Sequence, residues 1–225
     1  MKLAEPLQLA QEDLYRLYVA GLLANDRAQC QKIFEEWLAV APDLSLLYEN
    51  LVCRSLYEVG ERWEQGHISV ATEHLATAIS ESLLNLTYSR LFATPRNGRV
   101  AVVACVANEY HQIGGKMVAD IFELHGWRGY FLGANTPLAD LKTLLAEKRP
   151  DVLALSLALP ANLDRLTHAA TEVHAAFPAL PIVVGGQAFR WLERAQVEHL
   201  PGVHCLKNLG ELETWIQKET APKNV

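Results

Sequence analysis

Up to Ala93 the apolar positions recur every three or four residues, broken by polar or turn-forming punctuation at Asn25–Asp26, Ala41–Pro42 and Gly66. This rhythm predicts four helices, roughly Leu9–Leu23, Arg27–Val40, Leu44–Gln65 and Val70–Phe92. In the third, Val52, Leu56, Val59 and Trp63 are spaced by four, three and four and form one apolar stripe. Ser69 is placed to cap the fourth, which puts Glu73 and His74 in its second turn. Connections this short favour antiparallel neighbours and a small up-and-down bundle.

Beyond the segment ATPRNGR, residues 93–99, the rhythm changes. Short β-branched runs, Val100–Val106, Gly129–Leu132, Val152–Leu157, Ile182–Val184 and Val203–Leu206, alternate with helical patterns. The helices expected between and after them are Ile113–His125, Leu138–Glu147, Leu163–Phe177, Arg190–His199 and Glu211–Lys218. Five strands alternating with five helices predict a parallel sheet covered on both faces. The chain therefore reads as all-α followed by α/β. A four-helix bundle fills residues 1–94, a five-stranded parallel Rossmann-like or flavodoxin-like domain fills 98–220, and 221–225 form a tail. Ligands of such sheets bind beyond the carboxyl ends of the strands, at the switch point.

Composition narrows the function. Of 225 residues, 50% are apolar and 20% charged, ordinary for a soluble globular protein. A net charge of −6, with Lys and Arg scattered, leaves no electrostatic footprint for nucleic acid. The N-terminus has no signal-peptide pattern, and the longest apolar runs are strand-sized, too short for a bilayer. Cys30, Cys53, Cys105 and Cys205 stand far apart without a C-x-x-C pair, which suits reduced, mostly buried thiols. The expected location is cytoplasmic.

Candidate chemistry gathers after the strands. The first is followed by Asn108-Glu109-Tyr110-His111-Gln112-Ile113-Gly114-Gly115. A His on such a loop can present its imidazole to cobalt, iron, zinc or copper, or simply face solvent. Glu109 can accept from the second ring nitrogen and fix the tautomer. Gly114 and Gly115 permit close backbone approach, or merely open a helix. Ser156 lies near the end of the third strand, within LSLALP, and can bond a ligand there, although a strand Ser often has no such role. Gly185 and Gly186 follow the fourth strand, as a close-approach site or a turn.

Taken together, Glu109-Tyr110-His111-Gln112-Ile113-Gly114, then Ser156, then Gly185-Gly186 resembles the D-x-H-x-x-G, S-x-L and G-G signature of cobalamin-binding domains. Leu132-Gly133-Ala134-Asn135-Thr136-Pro137 is similar to that family's segment after the second strand. The resemblance covers Arg99 to about Lys218. It implies that His111 replaces the cofactor's own base as the lower cobalt ligand, and that the detached nucleotide tail enters a slot beside Ser156 and the glycines. The chain departs twice from the pattern. Glu109 stands for Asp, one methylene longer, and Ala158 stands for Leu, which costs packing but no polar contact.

Trp63, nine residues, then Glu73-His74 is similar to the W-x9-E-H signature of adenosylcobalamin photoreceptors of the CarH and LitR type. That resemblance implies that Trp63 lies over the upper corrin face and that Glu73 and His74 house the adenosyl group. The alternative for Trp63 is a place in the bundle core. In the photoreceptors a His directly after the Trp takes the upper position after photolysis. Here Glu64 stands there and His67 follows three residues on, so His67, Glu64 or solvent fills that place. The implied function is a light-responsive, adenosylcobalamin-binding regulatory module without turnover, with output through a protein partner or an assembly change. Direct nucleic-acid binding and membrane attachment are not expected, and a homo-oligomer is allowed. The runner-up is a corrinoid methyl carrier of a methyltransferase system, with methylcobalamin. A haem sensor and a flavodoxin-like domain with another ligand rank below it.

Overall fold

The computed structural model describes residues 5–40 and 43–220, so the break expected at Ala41–Pro42 and the tail at 221–225 lie outside the described residues. The chain divides into two compact units between residues 89 and 90.

In the first unit α1 spans Glu5–Leu23, four residues earlier than the expected start, and α2 spans Arg27–Val40. The third helical segment runs as α3 (Leu44–Leu47), a π-helical turn (Tyr48–Cys53) and α4 (Arg54–Glu64), with αR geometry at both junctions. The fourth is α5 (Val70–Leu83), a 3₁₀ turn (Leu84–Thr87) and α6 (Tyr88–Leu91), with Phe92 already outside it. Sequence dictates these helices through their stripes. The buried residues of α2 are Cys30, Ile33, Phe34 and Trp37, and those of α5 are Ala76, Ile79, Ser80 and Leu83. Both sets follow i, i+3, i+4, i+7, one face of a helix.

The Ser69 side chain accepts from Thr72 N–H at 3.1 Å and caps α5. Polar ties join the helices inside the bundle. Tyr18 and Ser80 hydroxyls lie 3.2 Å apart, Tyr48 and Thr87 hydroxyls 3.0 Å apart, and Tyr15 donates to Glu58. Each pairs a hydroxyl that burial would otherwise leave unsatisfied.

The apolar stripe of the third segment does not stay in the core. Val52 and Val59 are fully buried, Leu56 is half-buried, and Trp63 is 45% exposed. Trp63 therefore does not occupy the bundle core. The helix ends with His67 N–H on Arg62 O (2.8 Å), Gly66 N–H on Trp63 O (2.9 Å) and Gly66 at φ 72°. This Schellman closure ties down the backbone that carries His67.

The second unit is a five-stranded, wholly parallel sheet in the order β2-β1-β3-β4-β5. Its strands are β1 (Val100–Cys105), β2 (Arg128–Phe131), β3 (Val152–Ser156), β4 (Ile182–Gly185) and β5 (Val203–Cys205). Its helices are α7 (Ile113–Leu124), α8 (Leu138–Lys148), α9 (Leu163–Ala176), α10 (Ala195–Glu198) and α11 (Leu209–Thr220). The helix expected over Arg190–His199 shrinks to the single turn of α10, after a 3₁₀ turn at Gln187–Arg190. Trp191 and Leu192 N–H both bond back to Ala188 O, and Glu193 N–H is taken by the Gln196 side chain, so no helical ladder runs through 191–194.

Central β1 and β3 are apolar and buried on both faces, as helices on both sides require. Val102, Ala104, Leu153, Leu155, Ile182 and Val184 pack with α8 and α9 on one face. Alternation sends Cys105 and Ser156 to the other face, against α7. The register then aligns Cys105 with Ser156 and Ser156 with Gly185 in one row at the carboxyl edge. β1 and β3 flank the switch point, where the chain turns to β2 on one side and to β3 on the other.

Candidate functional site

The loop after β1 is shaped by its own backbone. Glu109 N–H bonds to Val106 O at 3.0 Å, with Asn108 left-handed at φ 66°, a conformation Asn tolerates. Asn135, also left-handed at φ 49°, ties the loop after β2 to it. Its side chain accepts from Asn108 N–H at 2.8 Å, and its N–H donates to Glu109 O at 2.8 Å.

The Glu109 side chain is completely buried and fully employed. Oε1 lies 2.6 Å from His111 Nδ1 and accepts His111 N–H at 3.1 Å. Oε2 accepts the N–H groups of Ala158 and Leu159, both at 3.0 Å, and Asn162 Nδ2 at 3.3 Å. Burial pushes the carboxyl up, but the His111 ring and the Leu159, His111 and Ala158 N–H groups outweigh it and hold the pKa at about 2. The carboxylate is therefore charged, and Nδ1 of His111 carries the proton it shares with Oε1. In the neutral ring the lone pair then resides on Nε2, and the His111 side chain is 54% exposed.

Gly114 and Ser156 face each other, since a Cβ on Gly114 would stand 3.7 Å from Ser156 Oγ. Gly115 is tighter, its added Cβ 3.0 Å from the Phe131 ring and 3.4 Å from Cys105 Sγ. Cys105 in turn donates to His111 O at 3.7 Å, and burial raises its thiol pKa to about 12. Gly185 and Gly186 are required by the sheet itself. Added Cβ atoms would lie 2.8 Å from Leu206 O and 2.2 Å from Leu157 O, and Gly186 has φ 118°. What approaches this glycine pair in the structure is the chain's own backbone, from the segments after β3 and β5.

In the bundle Glu73 Oε1 accepts from Thr77 Oγ1 at 2.9 Å, and Glu73 Oε2 lies 3.6 Å from His74 Nε2. Glu73 is mostly buried and His74 mostly exposed. Glu64 and His67 are exposed. The structure thus brings Glu109, His111, Gly114 and Ser156 together at one edge of the sheet, with Gly185 in register. Trp63 near the end of α4, and Glu73 and His74 in α5, belong to the bundle unit.

Sequence reasoning missed Asn162. This residue directly precedes α9, yet its side chain makes no capping bond and spends its amide on Glu109 and on Asn108 O at 3.2 Å. It also missed the Asn135 tie, for which the Asn-Thr-Pro turn is the only signal.

Fold and site define a parallel α/β domain that orients one imidazole, through a buried carboxylate, at the switch point of its sheet. The chain belongs to the B12 binding domain family: a B12 binding domain matches residues 99–211, and another B12 binding domain matches residues 14–87. It is 31% identical over 174 residues to the HTH-type transcriptional repressor CarH of Myxococcus xanthus, covering 76% of this chain and 57% of that protein. It is 28% identical over 136 residues to trimethylamine corrinoid protein 1 of Methanosarcina acetivorans, covering 58% of this chain and 62% of that one. The chain thus spans less than two thirds of the length of these relatives. In fold it is similar to the Methanosarcina barkeri monomethylamine corrinoid protein, with TM-score 0.79 at 12% identity, over 92% of this chain and 99% of that chain.

Membership makes this a cobalamin-binding protein, and the residues fit the cofactor. No group of three or more His, Cys, Asp or Glu side chains able to hold a metal occurs among the described residues. A single oriented imidazole suits a metal whose equatorial positions a macrocycle already fills. No helix among the described residues is long and apolar enough to cross a membrane.

Proposed function

We propose that the chain is a light-responsive regulatory module that binds adenosylcobalamin with His111 as the lower axial ligand of cobalt. The geometry that supports the ligand assignment is the 2.6 Å contact between His111 Nδ1 and Glu109. It fixes the tautomer in which Nε2 is the ligating atom, and the buried carboxylate raises the basicity of the ring. Ser156 and Gly114 border the place where the nucleotide tail of the cofactor would be held.

The sensor reading rests on one observation above others: Trp63 is 45% exposed at the end of α4 instead of filling the bundle core. An exposed indole followed by Glu73 and His74 offers a flat apolar face together with a carboxylate and an imidazole. Those are the groups that pack on a nucleoside and hold its ribose hydroxyls. The bound cofactor would supply a photolabile cobalt–carbon bond. The repressor relative, similar over three quarters of this chain, favours the regulatory role over catalysis. A switch of this kind needs contacts that differ between two states, and Trp63, Glu73 and His74 are the contacts assigned to the unphotolysed one.

A second reading, a methyl carrier, is favoured by the similarity to the trimethylamine corrinoid protein. The deciding experiment records the visible spectrum of the protein with adenosylcobalamin before and after green light, with size-exclusion chromatography alongside. A His-ligated spectrum that changes on illumination together with elution volume is expected. Equal affinity for adenosyl- and methylcobalamin, with no change in assembly, would establish the carrier reading instead.

A further inference from the structure

A recess lies at the carboxyl edge of the sheet, between the loop that follows β1 and helices α8 and α9. Its volume is about 240 Å³, and its walls include Thr136, Leu138, Leu141, Leu155, Arg165 and His168. Leu155 and Leu141 belong to the apolar layer beneath α8 and α9, whereas Ser156, the next residue of β3, faces α7. The recess and the Ser156 site therefore share a strand end.

Three features of the recess point to one kind of occupant. The floor is apolar, made by Leu138, Leu141 and Leu155. Thr136 is only 9% exposed, and its hydroxyl oxygen is buried without a hydrogen-bond partner, an uncommon state for a buried polar group. Arg165 and His168 stand three residues apart on α9, on one helix face at the rim, both exposed and neither in an ion pair among the described residues. Asp164 is the acidic neighbour on the same helix, while Glu172 is engaged by Lys142 at 3.1 Å.

We propose that this recess binds a small organic carboxylate, its short hydrocarbon body on the leucine floor and its anionic group on Arg165 and His168. The guanidinium fork matches a carboxylate in two parallel hydrogen bonds. At about 240 Å³ the recess falls below the usual range of drug-sized ligand sites, so the acid is a short one. The proposal uses neither His111 nor Ser156, and it is tested on the full chain without cobalamin.

Hexanoate is titrated while the backbone and methyl NMR resonances are followed, with inorganic phosphate and hexanol as parallel probes. Saturable shifts are expected at Thr136, Leu141 and His168 with hexanoate, and binding about tenfold weaker in Arg165→Gln and with hexanol. Thr136→Val, nearly isosteric, should also weaken hexanoate binding. Absence of saturable shifts, or affinity unchanged in Arg165→Gln, would overturn the proposal. Phosphate binding as tightly as hexanoate, with Leu141 unperturbed, would reduce the site to a surface anion contact and overturn it equally.

Discussion

His111 Nδ1 lies 2.6 Å from Oε1 of Glu109, and Glu109 is the buried partner of the two, with no exposed side-chain surface. The carboxylate is itself gripped by three backbone N–H groups and by Asn162, so the ring is aimed by a rigid acceptor. This order of dependence makes the consequences of substitution separable.

If His111 is the axial ligand, His111→Ala should alter the spectrum of bound cobalamin, whereas Glu109→Gln should keep the imidazole but loosen its orientation. The expected loss of affinity for Glu109→Gln is about 10–100-fold, as for other second-sphere groups at metal sites. Asn162→Ala should lie below this, because it removes one of several bonds to the carboxylate. Titration with hydroxocobalamin, followed by absorbance, measures all three. An Asn162→Ala effect as large as that of Glu109→Gln would contradict this order.

Trp63 is 45% exposed, so Trp63→Ala loses only the packing of the covered part of the ring and should cost the bundle roughly 1–2 kcal/mol. Trp37, 1% exposed, should cost roughly 3–5 kcal/mol on the same substitution. If Trp63 packs on the adenosyl group, its loss should weaken adenosylcobalamin by roughly 1–3 kcal/mol and leave methylcobalamin less affected. Paired denaturation and binding measurements test both halves of this statement.

The glycines should behave in two ways. Gly186→Ala forces a φ of 118° and a Cβ 2.2 Å from Leu157 O, so it should disrupt the sheet domain whether or not cobalamin is present. Backbone strain alone accounts for roughly 1–3 kcal/mol, before any overlap. A Cβ on Gly114 meets nothing nearer than Ser156 Oγ at 3.7 Å, an ordinary contact. Gly114→Ala should therefore fold normally and lose cobalamin affinity. Unchanged affinity in a folded Gly114→Ala protein would remove Gly114 from the binding site.

The upper side after illumination offers a sharper test. His67 is exposed, and its N–H is committed to Arg62 O at the closed end of α4, so its backbone is held and its ring moves by side-chain rotation alone unless that helix end opens. His67→Ala should leave the spectrum of the illuminated protein unchanged at every pH. A changed spectrum would identify His67 as a ligand in that state.

Tyr15 and Glu58 join α1 to α4. The hydrogen bond from Tyr15 lowers the Glu58 carboxyl pKa most, with further help from Arg62 and against burial. A depressed carboxylate stabilises the fold above its unfolded pKa, and this contribution disappears as pH falls through the folded value. Tyr15→Phe should thus cost toward the lower end of about 1.5–3 kcal/mol near neutrality. The gap between the two proteins should close progressively below pH 4.5, as followed by denaturation with circular dichroism.

Sequence alone determined the order of elements and the chemistry available to them. The helical period of the first part and the short continuous apolar runs of the second separate the bundle from the sheet domain, because a helix buries one stripe whereas a strand covered on both faces is apolar throughout. Ser69 marked a cap because its oxygen suits an otherwise unpaired N–H, and the residues from Glu109 to Gly114 announced an imidazole with a carboxylate beside it. Tertiary structure decided what no local pattern holds. Trp63 lies on the helical stripe of Val52 and Val59, yet it is exposed because burial depends on what packs against a face. Asn162 is 53 residues from Glu109, so its bond exists only once β1 and β3 lie side by side. Gly185 and Gly186 read equally as turn or ligand cradle until the carbonyls of Leu206 and Leu157 come within a Cβ's reach of them.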